Sequence, residues 1–366
     1  MDLRNRAFTL LLGGATALIA TFVGVKVAAE PYIAVRSGLK CSACHVSPSG
    51  GGMRNGFGAG YAHTQLTANL LGLDEMNPTE LTALTPRLSV GADLRASASA
   101  RRLEQLDNDF RFERERVTAY AHVSLVPGRV ELYLDQKLAP GNTVSRESWA
   151  LFRPLGGSFY VRAGRFFLPY GWRLEDDTAF IRQATGINFN TSDDGIELGA
   201  EPGAWSLNLA VTNGNGGGAE EGNGKQYSLR VERVENRWRV GASANLNDAR
   251  GPNRRMANIF AGLKTGPIAW LAEFDRVDVA GIAEQYLVLA ESNWELAKGH
   301  NLKYTFEFSD PDVDRGNDRV VRHSLVWEFI PVPFTQLRLG VRLRDGNEPG
   351  PLKDSTLGFL QLHVFL

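Results

Sequence analysis

Residues 87–98 of the chain read RLSVGADLRASA, so that one side chain in two is apolar along the whole stretch. A period of two predicts a β-strand with one apolar face and one polar face. The same alternation returns downstream, for example in residues 130–135, 205–212 and 337–344. Counting along the chain gives sixteen such segments. They start near residues 87, 112, 129, 146, 157, 194, 204, 225, 237, 256, 268, 284, 300, 319, 334 and 354.

The connections between these segments fall into two classes by length. Those after odd-numbered segments are long or polar, such as 169–193 and 214–224, whereas those after even-numbered segments are mostly tight, such as Pro127-Gly128 and Gly266-Pro267. An even strand count with short turns at one end and long loops at the other is typical of an outer-membrane barrel. A soluble propeller or sandwich would alternate too, but it has no reason to sort its loop lengths in this way. We therefore predict an all-β chain that forms an antiparallel transmembrane β-barrel of about 16 strands over residues 85–366, in contact with outer-membrane lipid.

The net charge of the chain argues against one class of partner. The 366 residues carry a net charge of −1, which argues against nucleic acid as a partner.

The polar faces of the predicted strands carry Arg and Glu together, as suits a hydrated lumen, and an Arg-lined pore can select anions. Aromatic side chains near strand ends fit interfacial girdles, with core packing as the alternative. They are Trp149, Phe166, Phe167, Trp205, Trp238 and Trp327.

The first residues have the pattern of an export signal. Arg4 and Arg6 precede an uncharged apolar run over residues 7–25, and Val27-Ala28-Ala29 offers a site for a signal peptidase. We predict that residues 1–29 are a signal peptide and that the mature chain starts at Glu30. A retained membrane helix is the alternative, because a run of nineteen residues is just long enough to span a bilayer.

Both cysteines belong to one motif, Cys41-Ser42-Ala43-Cys44-His45. The C-x-x-C-H pattern is that of c-type haem attachment, in which two thiols add to the vinyl groups of one haem and the adjacent His supplies an axial nitrogen. Competing interpretations are a redox dithiol, half of a zinc site and a structural disulfide. Zinc would need two further ligands at matched spacing, and a thioredoxin-type site would need a βαβ context. The motif therefore predicts one covalent haem c on Cys41 and Cys44, with His45 as the proximal ligand.

The second axial ligand is less well defined by the sequence. His63 lies eighteen residues after His45 and is the first candidate for the distal position. Met53 and Met76 are the nearby thioethers and the alternatives, and water or an open site would also fit. A distal His predicts a lower reduction potential than a distal Met.

The haem segment, residues 30–84, is too short and too rich in glycine to wrap a haem in its own apolar core. It contains Gly50-Gly51-Gly52 and Gly56-Phe57-Gly58-Ala59-Gly60. The second run resembles a nucleotide loop only superficially, because no strand precedes it, and it predicts close backbone packing instead. We expect the segment to plug the barrel lumen, whose walls would complete the haem site.

A signal peptide, an N-terminal Cys41–His45 motif and a barrel that continues to the C-terminus resemble the fused monohaem cytochrome–porins of bacterial outer membranes. The lead-in at residues 31–40, PYIAVRSGLK, is similar to the lead-in of that family. Residues 164–171, GRFFLPYG, resemble strand-to-loop sequence of phosphate-type porins. The best-known members of the family are implicated in extracellular iron(II) oxidation. The resemblance thus implies an external electron donor such as iron(II).

These observations predict electron transfer across the outer membrane. One haem does not cover a hydrocarbon layer of about 30 Å, so a periplasmic c-type cytochrome is the expected acceptor. The alternative is an anion or solute porin whose haem segment acts as a plug or redox gate. A soluble periplasmic haem protein is a third hypothesis.

One further stretch suggests a cation site. Asp310, Asp312 and Asp314 lie at alternate positions in a predicted external loop, and hard cations such as calcium or iron(II) prefer oxygen ligands. The stretch does not have the spacing of an EF-hand, and a solvated acidic loop is the alternative.

Overall fold

The computed structural model describes residues 30–103, 109–154, 157–187, 191–218, 222–249, 251–346 and 354–366. The predicted signal peptide lies outside these residues. The described chain contains four short helices and sixteen strands. The helices are α1 (Pro31–Ser37), α2 (Cys41–Cys44), α3 (Gly56–Thr64) and α4 (Phe180–Thr185). The strands are β1 (Leu88–Leu103), β2 (Asp109–Val126), β3 (Val130–Ala139), β4 (Val144–Phe152), β5 (Phe159–Phe166), β6 (Asp193–Ala200), β7 (Trp205–Thr212), β8 (Gln226–Val234), β9 (Trp238–Asn247), β10 (Arg254–Thr265), β11 (Ile268–Val279), β12 (Ala283–Ala297), β13 (His300–Asp310), β14 (Val320–Phe329), β15 (Thr335–Gly346) and β16 (Ser355–Phe365).

The strands form one closed antiparallel barrel in which each strand pairs with its neighbours in sequence. Strands β1 and β16 pair with each other and close the barrel. Their paired residues extend from Asp93 opposite Phe365 to Leu103 opposite Ser355. The prediction of a 16-stranded barrel is confirmed, and every strand begins within three residues of its predicted start. No helix in the described part of the chain is long and apolar enough to cross a membrane.

The faces of the barrel are inverted relative to a soluble protein. Along β7, Leu207, Leu209 and Val211 are exposed on the outside, whereas Ser206 and Asn208 are buried toward the lumen. Polar groups inside and apolar groups outside are what a barrel in lipid requires. The period-two pattern therefore has its polar face in the interior, as expected from the sequence.

The girdle prediction is only half right. Trp205 and Trp238 are about two-fifths exposed on the outer face, and Trp327 is half-buried on the outer face of β14. Trp149, Phe166 and Phe167 are buried in the lumen, where arginines stack on their rings. Their proximity to strand ends did not distinguish lipid-facing positions from lumen-facing ones.

The N-terminal segment, residues 30–84, enters the lumen at the end of the barrel that carries the tight turns. Its residues contact several of these turns or the strand ends beside them. Gly38 packs against Asn236 of the β8–β9 turn, and Ala68 N donates to Ile330 O of the β14–β15 turn at 2.8 Å. Lys40 Nζ donates to Trp205 O at 2.6 Å. The segment thus plugs this end of the barrel.

A second segment folds inward from the opposite end. The β5–β6 connection, residues 167–192, is called the inward loop here; its residues 188–190 lie outside the described chain. Trp172 Nε1 donates to Ala272 O at 3.0 Å, and Arg182 pairs with Glu273 at 2.7 Å. Phe180 N donates to Glu307 at 2.8 Å. The buried core lies in the lumen, where the N-terminal segment, the inward loop and the strand walls meet.

Candidate functional site

The Cys-x-x-Cys-His motif forms a single helical turn. Helix α2 spans Cys41–Cys44, and His45 ends it, with its N–H donating to Cys41 O at 3.0 Å. Both cysteines are half-buried free thiols. The turn places Cys41, Cys44 and His45 on the wall of one cavity, here called the motif cavity.

Close backbone packing positions this turn, as the glycine-rich sequence predicts. A Cβ on Gly50 would lie 3.1 Å from Cys41 Cβ, and Gly50 also has a positive φ of 81°. A Cβ on Gly58 would overlap the carbonyl oxygen of Cys44. The stretch Gly56–Gly60 begins helix α3, so the close-packing interpretation is confirmed.

Asn55 is a positioning residue that the sequence analysis missed. Its Oδ1 accepts from Gly58 N at 2.9 Å and so caps helix α3. Its Nδ2 donates to the carbonyls of Ser42 at 3.3 Å and Ala43 at 3.1 Å. An Asn directly before a helix is a capping signal, but its second role, fixing the motif turn, has no local sequence signature.

The motif cavity opens to solvent, and its space of about 1340 Å³ includes the open mouth. The N-terminal segment forms one side, and the inward loop and the wall form the rest. Besides the motif, the lining includes Arg54, Tyr61, Phe167, Leu168, Tyr170, Trp172, Arg173, Arg182, Asn208, Arg230 and Glu232.

The chemistry of the donor set fits a covalently attached haem. Both thiols and the imidazole border one space that opens to solvent, and neither thiol is used in a disulfide. His45 Nδ1 is shielded from solvent and makes no hydrogen bond of normal geometry. Desolvation in the lumen, then Arg54 and Arg173, lower the pKa of His45 to about 3. The imidazole is therefore neutral, which is the form that binds iron.

The three candidate distal ligands lie elsewhere. His63 is buried on α3 and its Nε2 is 2.7 Å from Leu73 O. Met53 is buried, with its backbone N donating to Tyr133 at 2.9 Å, and Met76 packs beside a cluster that includes Leu66 and Phe334. None of the three lines the motif cavity in the described chain. The structure brings Cys41, Cys44 and His45 together but leaves the distal position as a prediction.

The acidic loop after β13 pairs with arginines. Asp310 lies 2.9 Å from Arg319, and Asp312 lies 2.9 Å from Arg315. Asp314 N donates to Asp312 Oδ1 at 3.2 Å. Within the residues that the structure describes, no group of three or more His, Cys, Asp or Glu is arranged to hold a metal ion. The structure does not bring the three carboxylates of the predicted cation site together.

A second, polar cavity, with about 1470 Å³ of space including its open mouth, lies between the inward loop and the walls made by β1, β2 and β12–β16. Glu30 and Glu175 line both cavities and so lie at their junction. Arg95 and Arg116 hold Glu175, while Lys303 and Arg338 hold Glu30. The expectation that strand arginines and glutamates face the lumen is confirmed. Glu307, Arg338 and Arg342 of the strand walls line this cavity.

Comparisons with known proteins identify the fold. No protein-family profile and no curated protein matches the sequence. The anion-selective porin from Comamonas acidovorans has a TM-score of 0.62 at 9% identity, over 76% of this chain and 99% of the porin. OprB of Pseudomonas putida has a TM-score of 0.62 at 10% identity, over 83% of this chain and 99% of OprB. OmpT of Vibrio cholerae has a TM-score of 0.58 at 10% identity, over 78% of this chain and all of OmpT.

The chain therefore has the fold of the outer-membrane porins. More particularly, it is a 16-stranded porin-type barrel whose lumen is occupied by its own N-terminal segment and inward loop. At 9–10% identity, these similarities establish the fold alone. They contain no information about a haem.

Proposed function

We propose that this protein is an outer-membrane barrel that holds one c-type haem in its lumen and transfers single electrons. The observation that carries the proposal is the common position of Cys41, Cys44 and His45 on the motif cavity. Cys41 and Cys44 would attach the group and His45 would ligate its iron. When bound, a c-type haem supplies a one-electron couple, and the protein supplies its surroundings.

The residues of the lumen have two tasks in this proposal. Phe167, Tyr170 and Trp172 of the inward loop cover the motif cavity and restrict the access of water. Arg54 and Arg173 add positive charge beside His45, which favours the neutral imidazole. Such burial and charge are the means by which a protein sets the potential of a haem.

The partners follow from the position of the site. A single haem does not cover a bilayer of about 30 Å, so the protein needs a partner on each side. We propose that it accepts electrons from an external donor such as iron(II) and passes them to a periplasmic c-type cytochrome. The export signal and the outer-membrane location belong to the same proposal. The porin-type fold supports the location.

Haem staining of denaturing gels tests the cofactor. The parent and a Ser42→Ala control, both produced in a strain with working cytochrome maturation, should give a stained band. Cys41→Ala and Cys44→Ala should each lose the normal covalent attachment, because each thioether needs its own thiol. An unstained parent band would contradict the proposal.

A redox titration then tests the activity. Iron(II) and a panel of other donors are added to the haem-loaded protein while the haem absorption bands are followed. Reduction by at least one donor, followed by reoxidation by a c-type cytochrome, is expected. Loaded protein that exchanges electrons with neither would contradict electron transfer.

Passage of anions or small solutes is the second candidate function. The porin-type fold and the arginine-lined polar cavity favour it. Conductance in planar bilayers, with the reversal potential in a salt gradient, measures it directly. Equal, anion-selective conductance in the parent and in the Cys41→Ala/Cys44→Ala variant, without redox turnover, would establish this function instead.

A further inference from the structure

A group of five charged side chains is buried in the lumen where the N-terminal segment meets the wall. Lys303 Nζ lies 3.1 Å from Glu30 and 3.2 Å from Glu328. Arg338 contacts the same two carboxylates, that of Glu328 at 3.2 Å. Glu291 lies close enough for its charge to interact with those of Glu30 and Glu328. These five residues, called the Glu30 cluster here, are each more than nine-tenths buried.

The Glu30 cluster has more negative than positive charge. It contains three carboxylates, those of Glu30, Glu291 and Glu328, but only the two cations of Lys303 and Arg338. A buried carboxylate without a cation is strongly unfavourable. The cluster therefore lacks one positive charge.

Neighbouring side chains do not supply this charge. Arg36, which lies over the ring of Tyr32, pairs with Glu295 at 3.6 Å. Arginines of the neighbouring wall are paired as well: Arg95 with Glu175, Arg322 with Glu307 and Arg342 with Asp176. The missing cation must come from another kind of group.

Two polar groups of this region have no partner in the described chain. The Oε2 atom of Glu291 accepts from Thr305 at 3.1 Å, but its Oε1 atom is shielded from solvent and makes no hydrogen bond. The backbone N of Glu30, directly before helix α1, donates to no acceptor. Glu30 and Glu291 both line the polar cavity. A free carboxylate oxygen and a free backbone nitrogen thus belong to residues that border one space.

We propose that cleavage of the signal peptide directly before Glu30 supplies the missing cation, because the α-ammonium group that it creates pairs with Glu291. Hydrolysis of the Ala29–Glu30 peptide bond by water leaves a carboxylate on Ala29 and an amino group on Glu30. An α-amino group has an ordinary pKa of about 7.7–8.0 and is mostly protonated at pH 7, whereas the uncut amide is neutral. This inference rests on the export signal of the proposed function and is independent of the haem.

The pairing would fix the start of the plug to the wall only after processing. Glu30 leads into helix α1, where Tyr32 Oη donates to Glu328 at 2.7 Å, and Glu291 belongs to β12. An uncut chain keeps a neutral amide at Glu30 and leaves the charge of Glu291 uncompensated. The charge balance therefore makes processing a condition for a fully stable plug.

Sequencing of the N-terminus tests the processing step. Protein extracted from outer membranes should start at Glu30, both in the parent and in the Cys41→Ala/Cys44→Ala variant. A chain that starts at any other residue would overturn the inference. A start at Glu30 in a parent that carries no haem would support the inference and contradict the proposed cofactor.

The reactivity of the α-amino group tests its pairing with Glu291. The folded full chain in detergent is acetylated at pH 7, and modification of Glu30 is measured by mass spectrometry of the N-terminal peptide. Glu291→Gln removes the charge and keeps the shape of the side chain. The α-amino group should then react about tenfold faster, because the loss of its ion pair lowers its protonated fraction.

Glu307→Gln is the matched control for this measurement. Glu307 is also buried, lies on the next strand and lines the same cavity, but it has its own cation in Arg322. Its replacement should leave the reactivity of Glu30 unchanged. Equal rates in the parent and in Glu291→Gln would show that Glu291 is protonated or holds another cation, and would overturn the pairing.

A double-mutant cycle separates the pairing from a general loss of stability. Insertion of Gly-Ser between Ala29 and Glu30 keeps the cleavage site and moves the α-ammonium group two residues away from the cluster. Urea unfolding, followed by heat-modifiable mobility on gels, then measures the effect of Glu291→Gln in the normal and in the extended chain. The substitution should destabilise the normal chain and leave the extended chain unchanged or stabilised. An equal effect in the two chains would overturn the inference.

Discussion

Gly58 lies against the backbone of Cys44, so closely that any Cβ at position 58 would overlap the Cys44 carbonyl oxygen. The contact joins helix α3 to the motif turn α2, and Asn55 N donates to the same carbonyl at 3.0 Å. Glycine is the residue that permits such an approach of two backbones. The orientation of Cys44 toward the motif cavity therefore depends on a residue fourteen positions later in the chain.

Gly58→Ala should displace the motif turn and reduce covalent haem attachment. The barrel itself should still fold, since its strands pair independently of this contact. Gly60→Ala is the control on the same helix, because a Cβ there meets nothing within 4 Å. It should be neutral or stabilising by up to about 1 kcal/mol. Haem staining measures covalent attachment in the two variants, and limited proteolysis reports on the folding of the N-terminal segment. Equal staining of the two variants would refute the positioning role of Gly58.

Arg162 connects the plug to the wall, and its loss should be costly. It is fully buried, pairs with Glu197 at 2.7 Å and Glu147 at 3.5 Å, and donates to Ser47 and Ser49 at 3.1 Å. Arg162→Met should destabilise the folded state by about 3–5 kcal/mol, because Glu197 is left buried without its cation and Glu147 keeps only the longer contact with Arg173 at 3.7 Å.

Arg165→Met is the control for this prediction. Arg165 lies on the same strand and pairs with Asp194, but its side chain is 22% exposed and that of Asp194 is 43% exposed. Its loss should cost about 0–1 kcal/mol. Urea unfolding, followed by heat-modifiable mobility on gels, compares the two variants. Similar losses of stability for both variants would show that burial does not set the strength of these ion pairs.

The sequence was sufficient for the barrel because its signals are local and repeated. Alternation places each strand, as in Leu207-Asn208-Leu209, and tight turns such as Gly266-Pro267 fix the pairing of neighbours. The motif turn was predictable for the same reason, since Cys41, Cys44 and His45 are adjacent in sequence.

The contents of the lumen were less predictable. Arg182 and Glu273 are 91 residues apart, and nothing near either residue indicates that the β5–β6 connection folds inward to join them. Trp149 and Phe166 show the same limit, because an aromatic at a strand end fits a membrane girdle or a plugged lumen equally well. Which of the two applies depends on whether another segment fills the barrel beside it.

The inward loop should keep its attachment in mild acid. Burial raises the pKa of Asp176, but Arg342 and Arg322 together with Thr178 outweigh it and hold this pKa below its ordinary value of 3.8. A carboxyl whose pKa is depressed by folding stabilises the folded state at pH values above its unfolded pKa. This contribution should be complete above about pH 5 and should disappear as the pH falls below 4 toward the folded pKa.

Asp176→Asn measures the size of this contribution. The variant should lose about 1–2 kcal/mol at pH 7, and the difference from the parent should shrink below pH 4. Asp177→Asn is the neighbouring control; its carboxylate lies 3.9 Å from Arg116, whereas that of Asp176 lies 2.7 Å from Arg342, so a smaller loss is expected. Urea unfolding at pH 7, 5 and 3 makes the comparison. A difference for Asp176→Asn that grows in acid would show that the sign is wrong.

The tight-turn end of the barrel should face the periplasm. The N-terminal segment enters the lumen at this end, where Gly38 packs against Asn236, and a chain exported through the inner membrane approaches the outer membrane from inside. In a cysteine-free Cys41→Ala/Cys44→Ala background, Ile282→Cys should react with an impermeant maleimide on whole cells, because Ile282 is 65% exposed in the β11–β12 connection at the opposite end. Asn236→Cys, which is exposed in a tight turn, should react only after the cells are lysed. Labelling of Asn236→Cys alone on intact cells would reverse the orientation.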